Sequence, residues 1–430
     1  MSPAEEPDSQ ESGAPKKSRI LSASGFREYI KYFGPAIIAA VAYIDPGNFG
    51  TDISAGSSFG YVLLWSVLLA NLMGMLLQYL SGKLGIATGR SLAELVRDSL
   101  GTRRRIVPYW LGSELFAVFT DLAEFLGVTS ALYLLSNGAI PLLVAAWISA
   151  FDVIVVFAIA GRKFRRVELM ITMFVFGIGL GYIYEIFLAR PSPSGVLSGL
   201  ITPVIAGQSQ LFLVVGIIGA TVMPHVLVLH SALTKEKAEG LDVKQKQRLL
   251  SLHRLDTVLN LSLAGLVNMA LLIMAAAAFY VTGLNVATIN QAYKTLVPLF
   301  GLSASVVFAV TLLFSGWSSS TVGVLAGQAI FEGLLGTKLN PWLRRVVIRV
   351  INVVPTSIAI TLGYDPLLLL VYSQVVLSLL IPLPLIPLIY YTSKKRYMGR
   401  FVNTKAIVVL SLAVAGAIVA LNALLIITSL

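Results

Sequence analysis

Long apolar segments are the feature that most constrains this chain. We read eleven of them along its 430 residues, most of them long enough for a helix to cross the hydrocarbon core of a bilayer. The composition agrees, because 57% of the residues are hydrophobic, 12% are charged and the mean hydropathy is +0.84. A soluble domain of this length is not expected to be so apolar. The sequence therefore predicts an all-α polytopic membrane protein.

Short polar connections separate the apolar segments. The approximate bounds of the segments are 35–59, 62–86, 108–136, 140–160, 167–189, 210–233, 256–282, 296–333, 345–363, 366–391 and 406–429. The eighth is too long for one straight span, so we expect part of it to bend or project. Residues 1–24 are rich in Ser, Pro and Glu and lack an apolar core, which predicts a disordered cytoplasmic tail rather than a signal peptide. Residues 25–430 are expected to form one transmembrane domain.

The distribution of basic residues predicts the orientation of the chain. The formal net charge is +11, with 32 Lys and Arg residues. If the amino terminus is cytoplasmic, all of them except Arg190 and Lys294 fall on the cytoplasmic side or at its helix ends, which is the positive-inside pattern. The carboxyl terminus is then extracytoplasmic, and the charge requires no nucleic-acid partner. The chain has no Cys, which excludes disulfides and thiolate metal ligands.

Two short polar sequences interrupt apolar segments at matching places in the two halves of the chain. They are DPGN at residues 45–48, in the first segment, and MPH at residues 223–225, in the sixth. Proline removes a backbone donor and glycine adds freedom, so both helices should break there and leave carbonyl groups able to bind a ligand. Such a matched pair is the best sequence pointer to the binding site of a secondary transporter.

The positions of the two breaks also predict the internal symmetry. The broken segments lie five positions apart, and because five is odd the second unit of five helices must enter the bilayer upside down relative to the first. Repeat one then covers about residues 35–189 and repeat two about 210–391, while the helix at about 406–429 is an appendage. The predicted architecture is an inverted repeat of five plus five helices with one extra helix.

The side chains at the breaks predict the chemistry of the ligand. Asp45 and Asn48 supply hard oxygen donors, whereas Met223 supplies a soft sulfur from which Mg²⁺ or Ca²⁺ gains little. A mixed oxygen and sulfur site favours Mn²⁺, Fe²⁺ and softer ions such as Cd²⁺. A Met in an apolar helix is usually core, but its place beside a helix-breaking Pro, matched with Asp45, favours a ligand role.

Three carboxylates share one face of the third segment. Glu114, Asp121 and Glu124 are separated by seven and three residues, and exposing them to lipid would cost on the order of 10 kcal/mol. That face must therefore meet partners or water. The available cations near the start of the ninth segment are Arg344, Arg345 and Arg349. The row is either a proton path or a static network of ion pairs.

Further polar residues lie within the apolar segments. His225 is two residues from Met223, and a neutral imidazole there could accept a proton. His225 and His230 are five residues apart with no intervening Glu at the required place, so the zinc-protease motif HExxH is absent. Gln374 and Asn71 could support a ligand site or form hydrogen bonds between helices.

Four of these sequences resemble the Nramp family of divalent metal transporters. They are AYIDPGNF at 42–49, TDLAEFLG at 120–127, GATVMPH at 219–225 and SSSTVG at 318–323. The resemblance covers roughly residues 26–405 and implies a LeuT-like fold with helices one and six broken. It also implies import of Mn²⁺ or Fe²⁺ coupled to protons by alternating access, with no resident cofactor.

The resemblance also implies roles for individual residues. The metal would contact Asp45, Asn48, Met223, the main-chain carbonyls of Ala42 and Ala220, and Gln374 in an occluded state. The proton route would use Asp45, His225, Glu124, Asp121, Glu114, Arg344 and Arg345. The partners expected are divalent metal ions, protons and membrane lipid, for a monomer in the plasma (inner) membrane.

This chain departs from the family pattern at three places. Asp52 stands where Asn is usual, Val226 follows MPH where Asn is common, and LIPLP at 380–384 has one more proline than expected. Asp52 would add negative charge one helical turn beyond Asn48 and could alter metal access. The extra proline could change the geometry of the tenth helix.

Three alternatives remain at this point. A carrier of the same fold for an organic solute would not need the pair Asp45 and Met223. An intramembrane metalloenzyme is disfavoured, because the three histidines and scattered acids give no ligand set with an open zinc position. We therefore expect no enzymatic activity. A magnesium-selective carrier is disfavoured by the sulfur of Met223.

Overall fold

A computed structural model describes residues 35–151, 164–281, 283 and 288–429. This part of the chain is helical and has no strand. The helices are α1 (Pro35–Ala42), α2 (Pro46–Phe59), α3 (Leu64–Thr88), α4 (Leu92–Leu100), α5 (Arg103–Leu135), α6 (Leu142–Ser149), α7 (Phe164–Ala189), α8 (Pro193–Ile201), α9 (Gln208–Val222), α10 (Pro224–Lys237), α11 (Val243–Ala275), α12 (Ile289–Phe300), α13 (Leu302–Leu335), α14 (Pro341–Thr361), α15 (Pro366–Leu380), α16 (Pro382–Thr392), α17 (Lys395–Met398) and α18 (Lys405–Ser429).

Several of these helices, alone or as adjoining pairs, have the length and composition of membrane spans. Within the described residues there are seven: Leu64–Thr88, Arg103–Leu135, Gln208–Lys237, Val243–Tyr280, Leu302–Leu335, Pro366–Thr392 and Lys405–Ser429. Shorter apolar stretches lie at Phe176–Ala189 and Val346–Thr361. The all-α polytopic fold predicted from hydropathy is confirmed. The tail at residues 1–24 lies outside the described residues, and so do residues 152–163, which include the end of the fourth segment.

The first and sixth segments are both broken where the polar sequences predict. The chain leaves helical geometry between α1 and α2, and Asp45 is extended there, with φ −117° and ψ 164°. Between α9 and α10 a single residue, Met223, breaks the helix with φ 45° and ψ 95°. Each break is followed by Pro at the first position of the next helix, where a missing N–H costs nothing.

Other helix ends differ from the hydropathy bounds for local reasons. The long eighth segment is divided at Gly301, whose φ of 88° favours glycine, into α12 and α13. The tenth segment is interrupted at Ile381 before the proline-rich α16. Helix α11 begins well before its apolar part because Asp242 and Gln245 form a capping box at its start.

Two sides of the helical bundle can be distinguished by the ends of the helices. We call the side where α1 begins the proximal side and the side where α2 ends the distal side. Helix α7 ends on the distal side too, because the N–H of Ser192, just beyond it, donates to the Tyr61 hydroxyl just beyond α2 at 3.3 Å. Helices α2 and α7 therefore run in the same direction, and the two breaks lie inside the bundle.

Candidate metal site

Asp45 caps the amino end of α2. Its carboxylate accepts hydrogen bonds from the backbone N–H groups of Gly47, at 3.1 Å, and Asn48, at 2.9 Å. The positive end of the α2 dipole also favours a negative charge at this position. Asp45 is only 4% exposed, so the break and the dipole hold a carboxylate deep inside the protein.

The two prolines free two backbone carbonyl groups. In an uninterrupted helix, the carbonyl of Ala42 would accept from residue 46 and that of Ala220 from residue 224. Both of those residues are proline and have no N–H to donate. The carbonyl of Ala220 instead accepts from Asn48 Nδ2 at 3.0 Å. The breaks thus release one carbonyl in each half of the chain.

Asn48 joins the two broken helices. Its Nδ2 also bonds Asp45 Oδ1 at 2.8 Å and the Tyr43 carbonyl at 3.0 Å, while its Oδ1 accepts from the Thr221 hydroxyl at 3.0 Å. The start of α2 and the end of α9 are therefore in direct contact. The structure brings Asp45 and Asn48 together with the segment that ends at Met223.

Met223 lies at the meeting point of the two breaks. It is buried and belongs to the same apolar cluster as Ala42 and Val226. Its positive φ is a conformation that a residue with a side chain rarely adopts, and such strain is often found at functional sites. Val226, which follows the MPH sequence, fills this cluster with an apolar side chain.

Gln374 of α15 lies against the first break. Its carboxamide occupies the space in which a Cβ at Gly47 would stand, and its backbone carbonyl occupies that of a Cβ at Gly219 of α9. Its Nε2 donates to the Ser373 hydroxyl at 2.9 Å, while its buried Oε1 has no hydrogen-bond partner in the described part of the chain. The glycines therefore let α15 pack closely against both broken segments and place an amide oxygen beside the first break.

Two side chains that the sequence analysis did not single out support the first break. Asn268 of α11 donates to the Tyr43 carbonyl at 2.9 Å, and Ser315 of α13 donates to the Ile44 carbonyl at 3.0 Å. These bonds satisfy backbone acceptors that the break removes from the helix. The sequence signal for each of them is a polar residue inside an apolar segment. This signal shows that the side chain needs a hydrogen-bond partner, but not which group the partner is.

His225 follows the second break at the start of α10. It is buried, and its Nδ1 lies 3.0 Å from the Thr120 hydroxyl of α5. Glu124, one turn further along α5, packs against Gly323 of α13, where any larger side chain would collide with its carboxylate. We call Glu114, Asp121 and Glu124 of α5 the acid row. The second break is thus connected to this row through α10.

The acid row pairs with α14. Arg344 Nη2 lies 2.6 Å from Glu114 Oε2, and Arg349 Nη2 lies 3.7 Å from Asp121 Oδ1. Asn352 Nδ2 donates to Asp121 Oδ2 at 2.8 Å. The side chain of Arg345 lies outside the described residues. Arg349 is therefore a cation beside Asp121, and Asn352 joins a row that the sequence analysis built only from acids and arginines.

The donors at the breaks suit a transported transition-metal dication better than a zinc ion held by a cluster of His, Cys, Asp or Glu side chains. Among the described residues, no three His, Cys, Asp or Glu side chains are grouped closely enough to hold a metal. The candidate site instead has one carboxylate, two amide groups, freed carbonyls and one thioether. That set mixes hard and soft donors, as the sequence predicted.

Two helices broken inside a membrane bundle, with freed carbonyls and a helix amino end at the breaks, are the arrangement found at the binding sites of secondary transporters. The same fold occurs in solved structures. The structure of Mhp1 matches with a TM-score of 0.56 at 17% identity, over 87% of this chain and 80% of that one. That of MhsT in complex with L-phenylalanine matches with a TM-score of 0.60 at 14% identity, over 90% of this chain and 97% of that one.

Closer relatives identify the family. The Nramp family model, natural resistance-associated macrophage protein-like, matches residues 36–428. The divalent metal cation transporter MntH of Deinococcus radiodurans is 43% identical over 93% of this chain and 90% of its own length, and that of Bacillus subtilis is 40% identical over 94% and 93%. The chain belongs to the Nramp family. The manganese transporter of Eremococcus coleocola matches with a TM-score of 0.84 at 33% identity, over 95% of this chain and 87% of that one.

Proposed function

We propose that this protein imports divalent transition-metal ions, Mn²⁺ or Fe²⁺ and also Cd²⁺, together with protons by alternating access. The observation that carries the proposal is the meeting of Asp45, Asn48 and the Met223 break at one buried point. The names of the relatives support the substrate class, because they are divalent metal cation and manganese transporters.

The metal would take donors from both breaks. Asp45 Oδ and Asn48 Oδ1 are the hard donors, Met223 Sδ is the soft donor, and the carbonyls of Ala42 and Ala220 complete the set. Asn48 Nδ2, which now bonds the Ala220 carbonyl, must then turn away from it. Gln374 Oε1 could join from α15 when the site is closed from both sides.

The proton route would lead from Asp45 to the acid row of α5. A dication that binds Asp45 displaces any proton held there, and His225 is the nearest imidazole along the chain. Glu124, Asp121 and Glu114 then lie in order along α5, with Arg344 beside Glu114. The paired arginines would set the charge of the row as protons pass, and Arg345 belongs to the same proposed route.

The membrane potential favours import in the proposed orientation. If the proximal side is cytoplasmic, a negative-inside potential contributes about 2.3 kcal/mol per charge per 100 mV, and a dication gains twice that. Metal movement is then downhill by itself, so protons and metal need not move in a fixed ratio. The proposed setting is one transporter domain, a monomer in the plasma membrane with a cytoplasmic amino terminus and an extracytoplasmic carboxyl terminus.

Mn²⁺ uptake into proteoliposomes, with the internal pH recorded, tests the proposal. The wild type should take up Mn²⁺ and acidify the lumen, whereas Asp45→Ala should take up no more than empty liposomes. Asp98→Ala removes a carboxylate from the surface helix α4 and serves as the control, with normal uptake expected. Normal Mn²⁺ uptake by Asp45→Ala would refute the proposed site. Uptake with no pH change would refute proton coupling alone.

A further inference from the structure

A cavity reaches into the distal half of the bundle. Its volume is about 840 Å³, and it lies among the distal ends of α2, α9, α15 and α18. Ser54 of α2, Phe212 of α9 and Val371 of α15 line it, and the exposed Gln208 at the start of α9 places its mouth at the surface. Val371 lies one turn before Gln374, so the inner end of the cavity approaches the first break.

The proximal half is closed where α1 meets α10. Ile38 and Ala39 of α1 and Leu229 of α10 belong to one buried apolar cluster, and none of them is more than 2% exposed. Helix α10 also packs on α3, because the Ser81 hydroxyl donates to the Leu227 carbonyl at 2.5 Å. The bundle is therefore open beside the breaks on the distal side and closed between α1 and α10 on the proximal side.

Helix α4 is joined to the proximal part of α10 by two polar contacts. Lys235 Nζ donates to Glu94 Oε1 at 2.6 Å, and the backbone N–H of Leu92 donates to the Ser231 hydroxyl at 2.9 Å. Partial burial opposes ionisation of Glu94, but hydrogen bonds from Lys235 and Ser91 hold its pKa below the usual value. The contact between Glu94 and Lys235 is therefore an ion pair.

The rest of the bundle fixes α4 in place. Ala93 of α4 occupies the space in which a Cβ at Gly333 of α13 would stand. The Tyr391 hydroxyl of α16 bonds the Leu95 carbonyl at 3.1 Å and the Ser99 hydroxyl at 2.8 Å. Helix α4 is thus anchored to α13 and α16, and it connects these helices to the end of α10.

We propose that α4 is a latch that holds the proximal end of α10 against the bundle, so that the proximal side opens only when the contacts of Glu94 and Leu92 with α10 break. This inference rests on the proposed alternating access, in which one part of the bundle moves against another around a central site. The break at Met223 separates α10 from α9. Lys235 lies about 18 Å along α10 from that break, so a small rotation there displaces Lys235 most.

The ion pair is weak enough for the latch to open. The side chains of Glu94 and Lys235 are 22% and 35% exposed, and an ion pair at such a surface changes an equilibrium by about two- to fivefold. Loss of the pair should therefore raise the ratio of proximal-open to proximal-closed molecules by that factor. Ser231 and Leu92 should still restrain α10 in such a variant.

Labelling of single cysteines tests the latch without relying on transport. The chain has no Cys, so Leu229→Cys can report opening of the proximal side and Ser54→Cys can report access to the distal cavity. Glu94→Gln should raise the rate at which a polar maleimide labels Leu229→Cys by about two- to fivefold, and should not raise it for Ser54→Cys. Gln can replace Glu in the capping box with Ser91, so α4 should stay folded.

Reversal of the two charges is the specific control. Glu94→Lys and Lys235→Glu should each speed labelling of Leu229→Cys, and their combination should slow it again because the attraction is restored. Asp98→Ala removes a different ion pair of α4, that with Arg90, and should leave labelling unchanged.

Two results would overturn the inference. One is equal labelling of Leu229→Cys with and without Glu94→Gln. The other is faster labelling of both Leu229→Cys and Ser54→Cys in Glu94→Gln, which would mean that the whole bundle is loosened. If the wild type moves no Mn²⁺ in proteoliposomes, the proposed function fails, while the labelling rates still decide whether α4 restrains α10.

Discussion

The sulfur of Met223 is the one soft donor of the proposed metal site. Without it, the site would offer only oxygen and nitrogen atoms. In Met223→Ala we expect Cd²⁺ affinity to fall by about tenfold or more, while Mg²⁺ competes with Mn²⁺ more strongly, because the soft donor is gone. Ala carries a Cβ as Met does, so the positive φ at 223 remains equally unfavourable and backbone strain is matched. Competition of millimolar Mg²⁺ with micromolar Mn²⁺ in uptake and binding assays checks this.

A buried methionine elsewhere in the bundle provides the matched control. Met274 of α11 is also fully buried, but it lies in a different apolar cluster. Met274→Ala removes the same volume and should leave the order of ion affinities unchanged. If the two variants have the same ion preferences, Met223 is a packing residue and not a ligand.

At the scale of helices, the breaks depend on two prolines that each lie four residues after an alanine. Pro224→Ala returns an N–H to the Ala220 carbonyl and should let α9 continue into α10. The Ala220 carbonyl is then occupied and Met223 turns with the helix, so we expect Mn²⁺ affinity to fall by more than about tenfold. Calorimetric titration of the folded variant measures this affinity.

The matched control for Pro224→Ala is another proline of an apolar helix, which lies away from the proposed metal site. Pro387 lies inside α16, and the carbonyl four residues before it, that of Leu383, accepts from the Tyr109 hydroxyl. Pro387→Ala should therefore alter a helix without altering Mn²⁺ affinity. Unchanged affinity in Pro224→Ala would mean that the second break is not needed to build the site.

At the scale of the whole molecule, the sequence could predict the features that bilayer thickness and the chemistry of proline determine. Bilayer thickness sets the length of a span, so most helix ends lie within a few residues of the hydropathy bounds. Because Pro46 and Pro224 have no backbone N–H, their positions in the sequence predicted both breaks. Helices α4 and α8 were not predicted, because they are short and lie between the predicted segments, and α12 begins seven residues before the eighth segment.

Pairings between helices could not be predicted in the same way. The sequence indicated that the acids of α5 need cations from the ninth segment, but the rotation and depth of α14 against α5 decide which residue meets Asp121. That rotation is set by packing along both helices, and it selects Arg349 and Asn352. Asn268 and Ser315 were missed for the same reason, since their partners are carbonyl groups of another helix.

The central claim is that one bare dication is held between the two breaks. Anomalous scattering from crystals of the full chain soaked in Mn²⁺ tests it most directly. The account predicts a peak within bonding distance of the Asp45 carboxylate and the Met223 sulfur, lost in Asp45→Ala. A Mn²⁺-loaded structure with no peak there, or with Asp45 and Met223 too far apart to share one ion, would contradict it.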